Sequence, residues 1–430
     1  MSSLRRDIGF IGAAAIALNG IVGAGIFAMP QALVEGVGPA SPYLILVFGA
    51  LMIFPVLVFG ELAAHFDQAG GPVVYTNAAF GRISAFFVGW LYYLARAAAF
   101  AANINVLLVY TATFVPGLDK GFVRIVGIGA VIAVLTAINI VGVKTAIRTL
   151  NVVTILKVAP LAVFVVWGLW AFAGAIPAPQ LPAAPGNIGA ITLLLLYAFV
   201  GFESATATAG ETSDTKRNLP RALMTTMIAM AALYFLIQLA YVSVMQGEKP
   251  DGAPLAAAAR VLAGPWGAVA IAAVATASIA GNSFGSFLST PRITFAMAEE
   301  GSLPAWFGAV HRRFATPANS ILALGVFATI LAMSSAFIWL AIIASLTRML
   351  VYLVCTGALL RLRAKAPKEA RPIGAIAVRA ITPLVAVAFC VFAIAQAEGN
   401  AWKFLGAFAA VGVLIYAISR WTRRGEAQNG

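Results

Sequence analysis

The feature that most narrows what this chain can fold into is a succession of twelve apolar runs, at about 8–32, 41–61, 83–114, 122–141, 146–173, 188–209, 222–245, 264–290, 318–333, 336–360, 381–396 and 401–419. A transmembrane helix takes about 20 residues, so twelve would use roughly 240 and leave short loops and tails. With 62% apolar and 10% charged residues and a mean hydropathy of +0.95, the chain lacks the polar surface to cover a water-soluble body. Helices are expected, because backbone polar groups in hydrocarbon must be satisfied within the segment. The runs lack the period-two alternation of a membrane β-barrel.

The formal net charge of +13 would suggest a nucleic-acid partner in a soluble protein, but most of it lies between the apolar runs. There it reads as topology and contact with membrane lipid, with no nucleic-acid partner. If the amino end, Met1 to Asp7, is a cytoplasmic tail, 20 lysines and arginines fall in cytoplasmic segments and 5 outside. Both termini are then cytoplasmic in a multi-pass protein of the cell membrane. Cys355 and Cys390 sit alone in apolar runs, so no disulfide, metal site or cofactor is expected.

The first run contains Asn19-Gly20-Ile21-Val22-Gly23-Ala24-Gly25, with three glycines in six residues near mid-membrane. Glycine lowers the cost of leaving helical geometry. Alone, this fits a close helix contact equally well. The sixth run repeats the signal in Tyr197-Ala198-Phe199-Val200-Gly201-Phe202-Glu203. Interrupted helices at matching positions of two halves point to a transporter binding site. Amides at the start of the following half-helix can hold a carboxylate, and carbonyls ending the preceding one can hold an ammonium. A zwitterion such as an α-amino acid suits both.

Ionisable groups at membrane depth need a reason to be there. Lys157 in the fifth run is a candidate proton carrier, because a lysine taken out of water shifts its titration readily. Its alternative is a lysine snorkelling to the cytoplasmic interface. Glu203 is a candidate for coupling or gating, or a structural carboxylate accepting from the opened backbone. Arg96 and Arg348 have no obvious local partner and read as structural. Glu61 ends the second run and faces the interface.

In order and spacing, these residues resemble the amino acid, polyamine and organocation permease superfamily. Gly23-Ala24-Gly25-Ile26-Phe27 is similar to its G-x-G-I-F motif. Gly70-Gly71-Pro72-Val73-Val74-Tyr75 with Phe80-Gly81, the Gly201 to Glu203 stretch, Lys216 to Ala222 and Arg292 to Pro304 resemble further family segments. The resemblance implies an all-α integral membrane fold of twelve helices. Ten form a 5+5 inverted-repeat core over 1–360 with helices 1 and 6 interrupted. A basic cytoplasmic loop at 361–380, two peripheral helices at 381–420 and a tail at 421–430 follow. It also implies that a substrate carboxylate meets amides near Ala24 and Gly25 and that its ammonium meets carbonyls near Ile21, Tyr197 and Val200, with Gly23 and Gly201 also in the substrate site. Lys157 matches a lysine that takes the place of sodium between spans one, five and eight, with Ser286, Ser289 and Thr290 facing it.

Two departures bear on the substrate. Tyr197 stands where arginine/agmatine exchangers carry a tryptophan, and Ser286 falls near another of their aromatic positions. With no dedicated carboxylate for a cationic side chain, a neutral amino acid is the expected substrate, carried with protons and without sodium. The alternative is an amino acid or polyamine exchanger without net proton transport. A membrane-embedded enzyme is a remote alternative, because His65 and His311 fall in loops and the catalytic motifs of such enzymes are missing.

Overall fold

A computed structural model describes residues 8–66, 70–142, 147–179, 188–250, 252–334, 336–365 and 376–429. Half of the basic segment 361–380, residues 366–375 with Lys368 and Arg371, lies outside the described residues. The described residues are helical, with no strand among them and one isolated bridge pairing Ile8 with Thr212.

The first apolar run forms α1 (Phe10–Ile21) and α2 (Gly25–Val37), separated by Val22 to Ala24. There follow α3 (Ser41–His65), α4 (Pro72–Phe80), α5 (Arg82–Thr111), α6 (Gly121–Val141), α7 (Ile147–Ala171) and α8 (Ile188–Tyr197). After a second break a 3-10 helix runs over Phe202–Glu211. The chain continues through α9 (Thr215–Met245), α10 (Pro254–Ser289), α11 (Pro291–Glu299), α12 (Ala318–Ser334), α13 (Phe337–Lys365), α14 (Ile376–Ala395) and α15 (Gly399–Asn429).

Eight segments among the described residues are long and apolar enough to cross a bilayer, and four shorter apolar helices accompany them. The outer faces carry exposed Val163, Val166 and Trp170 on α7, Val326 and Ile330 on α12, Leu384 on α14 and Leu414 on α15. So much outward apolar surface is stable against lipid, not water. The eighth run starts earlier than the sequence pattern suggests. Ala263 and Gly264 leave helical geometry, so α10 is two helical pieces joined at a kink. The connection between the second and third runs holds a helix of its own, α4.

The packing places both breaks inside. The main contacts run between α3 and α9, and between α5 and both α13 and α10; α1 packs on α9, α7 and the 3-10 helix. The entry to α1 is also tied to the exit of the 3-10 helix. Ile8 donates its amide to the Glu211 carbonyl at 3.1 Å, and Ser213 donates its amide to the Ile8 carbonyl at 2.9 Å.

At the centre the two interrupted segments touch backbone to backbone. Gly201 has φ +111° and ψ −14°, and a Cβ there would overlap the carbonyl of Gly20. A Cβ on Gly20 would in turn overlap the Gly201 carbonyl and Ser204 Oγ. Glycine at both positions is therefore a steric requirement. Gly201→Ala should lower the thermal unfolding midpoint of the purified protein by the equivalent of about 1–3 kcal/mol from backbone strain alone. Gly406→Ala, where a Cβ meets open space, should leave it within about 1 kcal/mol of wild type.

Candidate functional site

The first break begins where Val22 still donates its amide to Leu18 and Gly23 turns its own onto the Ile21 carbonyl at 2.9 Å. The next amide, Ala24, donates to Asn103 Oδ1 on α5 at 3.0 Å. Gly25 and Ile26 open α2, where the first amides of a helix have no intrahelical acceptor. A Cβ on Gly25 would lie 3.2 Å from the Tyr197 ring. The second break therefore faces the start of α2 across a narrow gap. The Ile21 carbonyl also accepts from Tyr234 on α9 at 3.3 Å.

The second break is held by charge. Gly201 donates its amide to Glu203 Oε2 at 2.9 Å, and Tyr352 of α13 donates to the same oxygen at 2.7 Å. Arg348, also on α13, donates to Glu203 Oε1 at 2.9 Å and to the Ala95 carbonyl of α5 at 3.2 Å. Glu203 and Arg348 are both buried. Desolvating an ion pair is costly, and removing one partner leaves the other charge uncompensated. Phe59 packs on Phe202 and Tyr352 at ring separations of 5.5 and 4.9 Å, which keeps this cluster dry. Arg348 thus has a partner that lies far away in sequence. Glu61 likewise meets Arg363 in an ion pair.

Lys157 is buried on α7 and donates to Asn19 Oδ1 at 2.7 Å. The hydroxyls expected to face it lie elsewhere. Ser289 and Thr290 accept from Arg96 at 2.5 and 2.9 Å, and the Arg96 guanidinium also reaches Tyr92 OH at 3.2 Å.

Around the two breaks lies a cavity of about 400 Å³. Ile21, Gly23, Gly25, Tyr197, Val200, Gly201 and Ser286 all line it, and of the substrate-binding residues expected from sequence only Ala24 does not. Its polar wall also includes Asn19, Asn103, Asn282, Arg96 and Arg348. It extends toward Thr208 and Ser289. At the other end Tyr197 meets Phe337 edge to face, with centroids 5.6 Å apart. Beyond Phe337 is a separate recess of about 800 Å³, lined by Gln31, Glu35, Arg124 and Lys249 among others. One aromatic contact thus lies between the two spaces.

Sequence reasoning found the breaks and Lys157 but missed Asn103, Asn282 and the side chain of Asn19. Each is an uncharged amide within an apolar run, a signal that a search confined to ionisable groups passes over.

Residues 8–417 match the family model described as amino acid permease. The chain is 24% identical to the methylthioribose transporter of Bacillus subtilis, over 97% of this chain and 94% of that protein. It is 23% identical to the branched-chain amino acid permease BcaP of the same organism, over 91% of this chain and 88% of that protein. The serine/threonine exchanger SteT, also from B. subtilis, is 27% identical over 74% of each chain.

The buried pair makes a direct stability prediction. Glu203→Ala should destabilise the purified protein by about 3–5 kcal/mol, and the double variant Glu203→Gln with Arg348→Met by clearly less, because no lone charge remains. Thermal unfolding followed by intrinsic fluorescence checks the order.

Proposed function

Because this chain belongs to the amino acid permease family, we propose that it is a secondary active transporter moving neutral amino acids across the cell membrane by alternating access. The observation that carries this reading is the crossing of two interrupted helices beside a cavity that both of them line. There the amide end of α2 faces the carbonyl-bearing turn after α8. A carboxylate is favoured at the first and an ammonium at the second. The shape of the intervening wall is left to select the side chain.

The reading includes twelve spans, the first ten forming a 5+5 inverted repeat and the last two packed outside it. Both termini face the cytoplasm, as the bias of lysine and arginine between the runs supports. In that orientation the cavity extends toward the cytoplasmic ends of the spans, and Tyr197 with Phe337 closes the outer side. This is an inward-facing arrangement.

Cavity electrostatics favour a neutral side chain. The basic side chains lining the cavity are Arg96 and Arg348, with no acidic one among its described lining, and the nearby carboxylate of Glu203 is already taken by Arg348, Tyr352 and Gly201. An incoming guanidinium would meet like charge with no free acid. Relatives include carriers named for branched-chain amino acids, for serine and threonine, and for methylthioribose. The backbone site, not the relatives' names, is therefore the ground for the zwitterion reading.

Coupling is assigned to Lys157, whose ammonium bonds α7 to α1 through Asn19. Held in place, it ties the moving half-helix; released, it lets α1 swing. Protons, not sodium, would then drive or gate the cycle.

A panel of labelled amino acids in proteoliposomes, with imposed pH, sodium and exchange gradients, tests this directly. Uptake of at least one neutral amino acid should be stimulated by an inward proton gradient and be indifferent to sodium. Lys157→Ala should remove most of that uptake together with its pH response. A sodium requirement would overturn the coupling assignment, and displacement of the best neutral substrate by equal arginine would overturn the pocket reading. Gly25→Leu, which drives a side chain into the Tyr197 ring, should weaken binding about 100-fold, the worth of one or two charge-assisted hydrogen bonds. The variant should remain folded and monodisperse.

A further inference from the structure

Three asparagines from three helices form an unbroken line between Lys157 and the amide end of α2. Ala24 donates its amide to Asn103 Oδ1 at 3.0 Å, and Asn103 Nδ2 donates to Asn282 Oδ1 at 2.8 Å. Asn282 Nδ2 donates to the Asn19 carbonyl at 2.5 Å, and Asn19 Oδ1 accepts from Lys157 Nζ at 2.7 Å. Asn103, Asn282 and Lys157 are all buried. The polarity of every link is dictated by the ends. A backbone amide can only donate, so Asn103 must turn its oxygen to Ala24 and its NH2 to Asn282. A backbone carbonyl can only accept, so Asn282 must turn its NH2 to Asn19. An ammonium has donors alone, which fixes the Asn19 oxygen toward Lys157.

The line has no slack. Flipping the amide of Asn103 or Asn282 would set oxygen against oxygen at one end and donor against donor at the other, leaving buried polar groups unpaired. A Cβ on Gly23 would lie 3.2 Å from Asn103 Oδ1 and 3.4 Å from Asn282 Oδ1, so the glycine lets the chain pass close to the amides.

We propose that Asn19, Asn282 and Asn103 are positioning residues that couple the lysine on α7 to the substrate-carboxylate end of α2. The proposal rests on the assignment of that end as the carboxylate site and supplies what links it to Lys157. Asn103 Oδ1 holds the Ala24 amide in place of a carboxylate oxygen. A substrate that takes this amide frees Asn103, and its NH2 loosens from Asn282. The carbonyl and side chain of Asn19 then re-form around a single donor. By linkage, loss of the Lys157 bond must loosen the Ala24 cap to the same degree. Amides carry no transferable proton here; the line transmits position.

The test needs no substrate, so its failure and failure of the amino acid assignment are distinguishable. Hydrogen exchange at the amides of residues 20–27 is measured on the purified, ligand-free full chain, in wild type, Lys157→Ala, Asn282→Ala and the double variant. Lys157→Ala should reduce protection at Ala24 by about fivefold, the worth of one net hydrogen bond, although the two residues do not touch. In the Asn282→Ala background the same substitution should have no further effect. Distant sites without shared partners act additively, so equal effects with and without Asn282 would overturn the proposal. No effect of Lys157→Ala on Ala24 would also overturn it. Asn282→Asp, isosteric but lacking the donor to Asn19, should reproduce Asn282→Ala and serves if that variant folds poorly. Asn103→Asp keeps the cap at Ala24 but sets oxygen against Asn282 Oδ1. It should retain protection at Ala24 yet lose its dependence on Lys157; retained dependence would count against the relay.

Discussion

A helix opened inside a bilayer exposes amides and carbonyls that have no water to turn to, and each one left unpaired costs several kcal/mol. Both interruptions in this protein therefore depend on side chains that answer them, from other helices and from the interrupted segment itself. Asn103 takes the Ala24 amide, Glu203 takes the Gly201 amide, Ser204 Oγ donates to the Gly201 carbonyl and Tyr234 donates to the Ile21 carbonyl. These partners come from α5, α9 and the 3-10 helix, and Glu203 is in turn held by α13. The packing of α5, α9 and α13 around the breaks brings those partners into place. The groups left over at the start of α2 and the turn after α8 are what a zwitterion can use.

Much of this is legible in the sequence, and the limits of that legibility have physical causes. The glycines at 20, 23, 25 and 201 announce a backbone that is free to leave helical geometry or to approach another closely, and Lys157 announces itself by its charge within an apolar run. Partner choice is another matter. Arg348 shows no local partner because its carboxylate lies 145 residues away in sequence, and only packing of α13 against the second break joins them. The family resemblance sets Lys157 facing Ser286, Ser289 and Thr290 of the eighth run. Lys157 reaches instead the side chain of Asn19, while Arg96 holds Ser289 and Thr290. An α-helix was expected after Gly201, yet the segment is a 3-10 helix. There Glu203 bends back to its own Gly201 amide, and the hydroxyls of Ser204, Thr206 and Thr208 each bond a carbonyl three residues earlier. Those bonds suit the tighter winding. Such long 3-10 runs are uncommon and often mark a hinge or strain.

The cavity also separates two kinds of polar group. Charges are committed: Glu203 with Arg348, and Arg96 with three hydroxyls. Amides and carbonyls remain to meet a ligand, together with the small faces of Gly23, Gly25 and Ser286. On the proposed function, a site built this way would recognise the parts that all α-amino acids share and leave discrimination to shape. The Tyr197 ring supplies part of that shape, and its contact with Phe337 stands between the cavity and the recess beyond. Side-chain choice and closure of one end would then depend on the same aromatic contact.

The central claim is that backbone groups at the two breaks read the α-carboxylate and α-ammonium of the substrate. It is tested most directly by competition binding on the purified protein, using a labelled neutral amino acid against its methyl ester and its N-acetyl derivative. Both derivatives keep the side chain and each cancels one charge. The account predicts that neither competes at concentrations where the parent amino acid saturates the site, while neutral amino acids of similar size do. Competition by either derivative with the strength of the parent would contradict it.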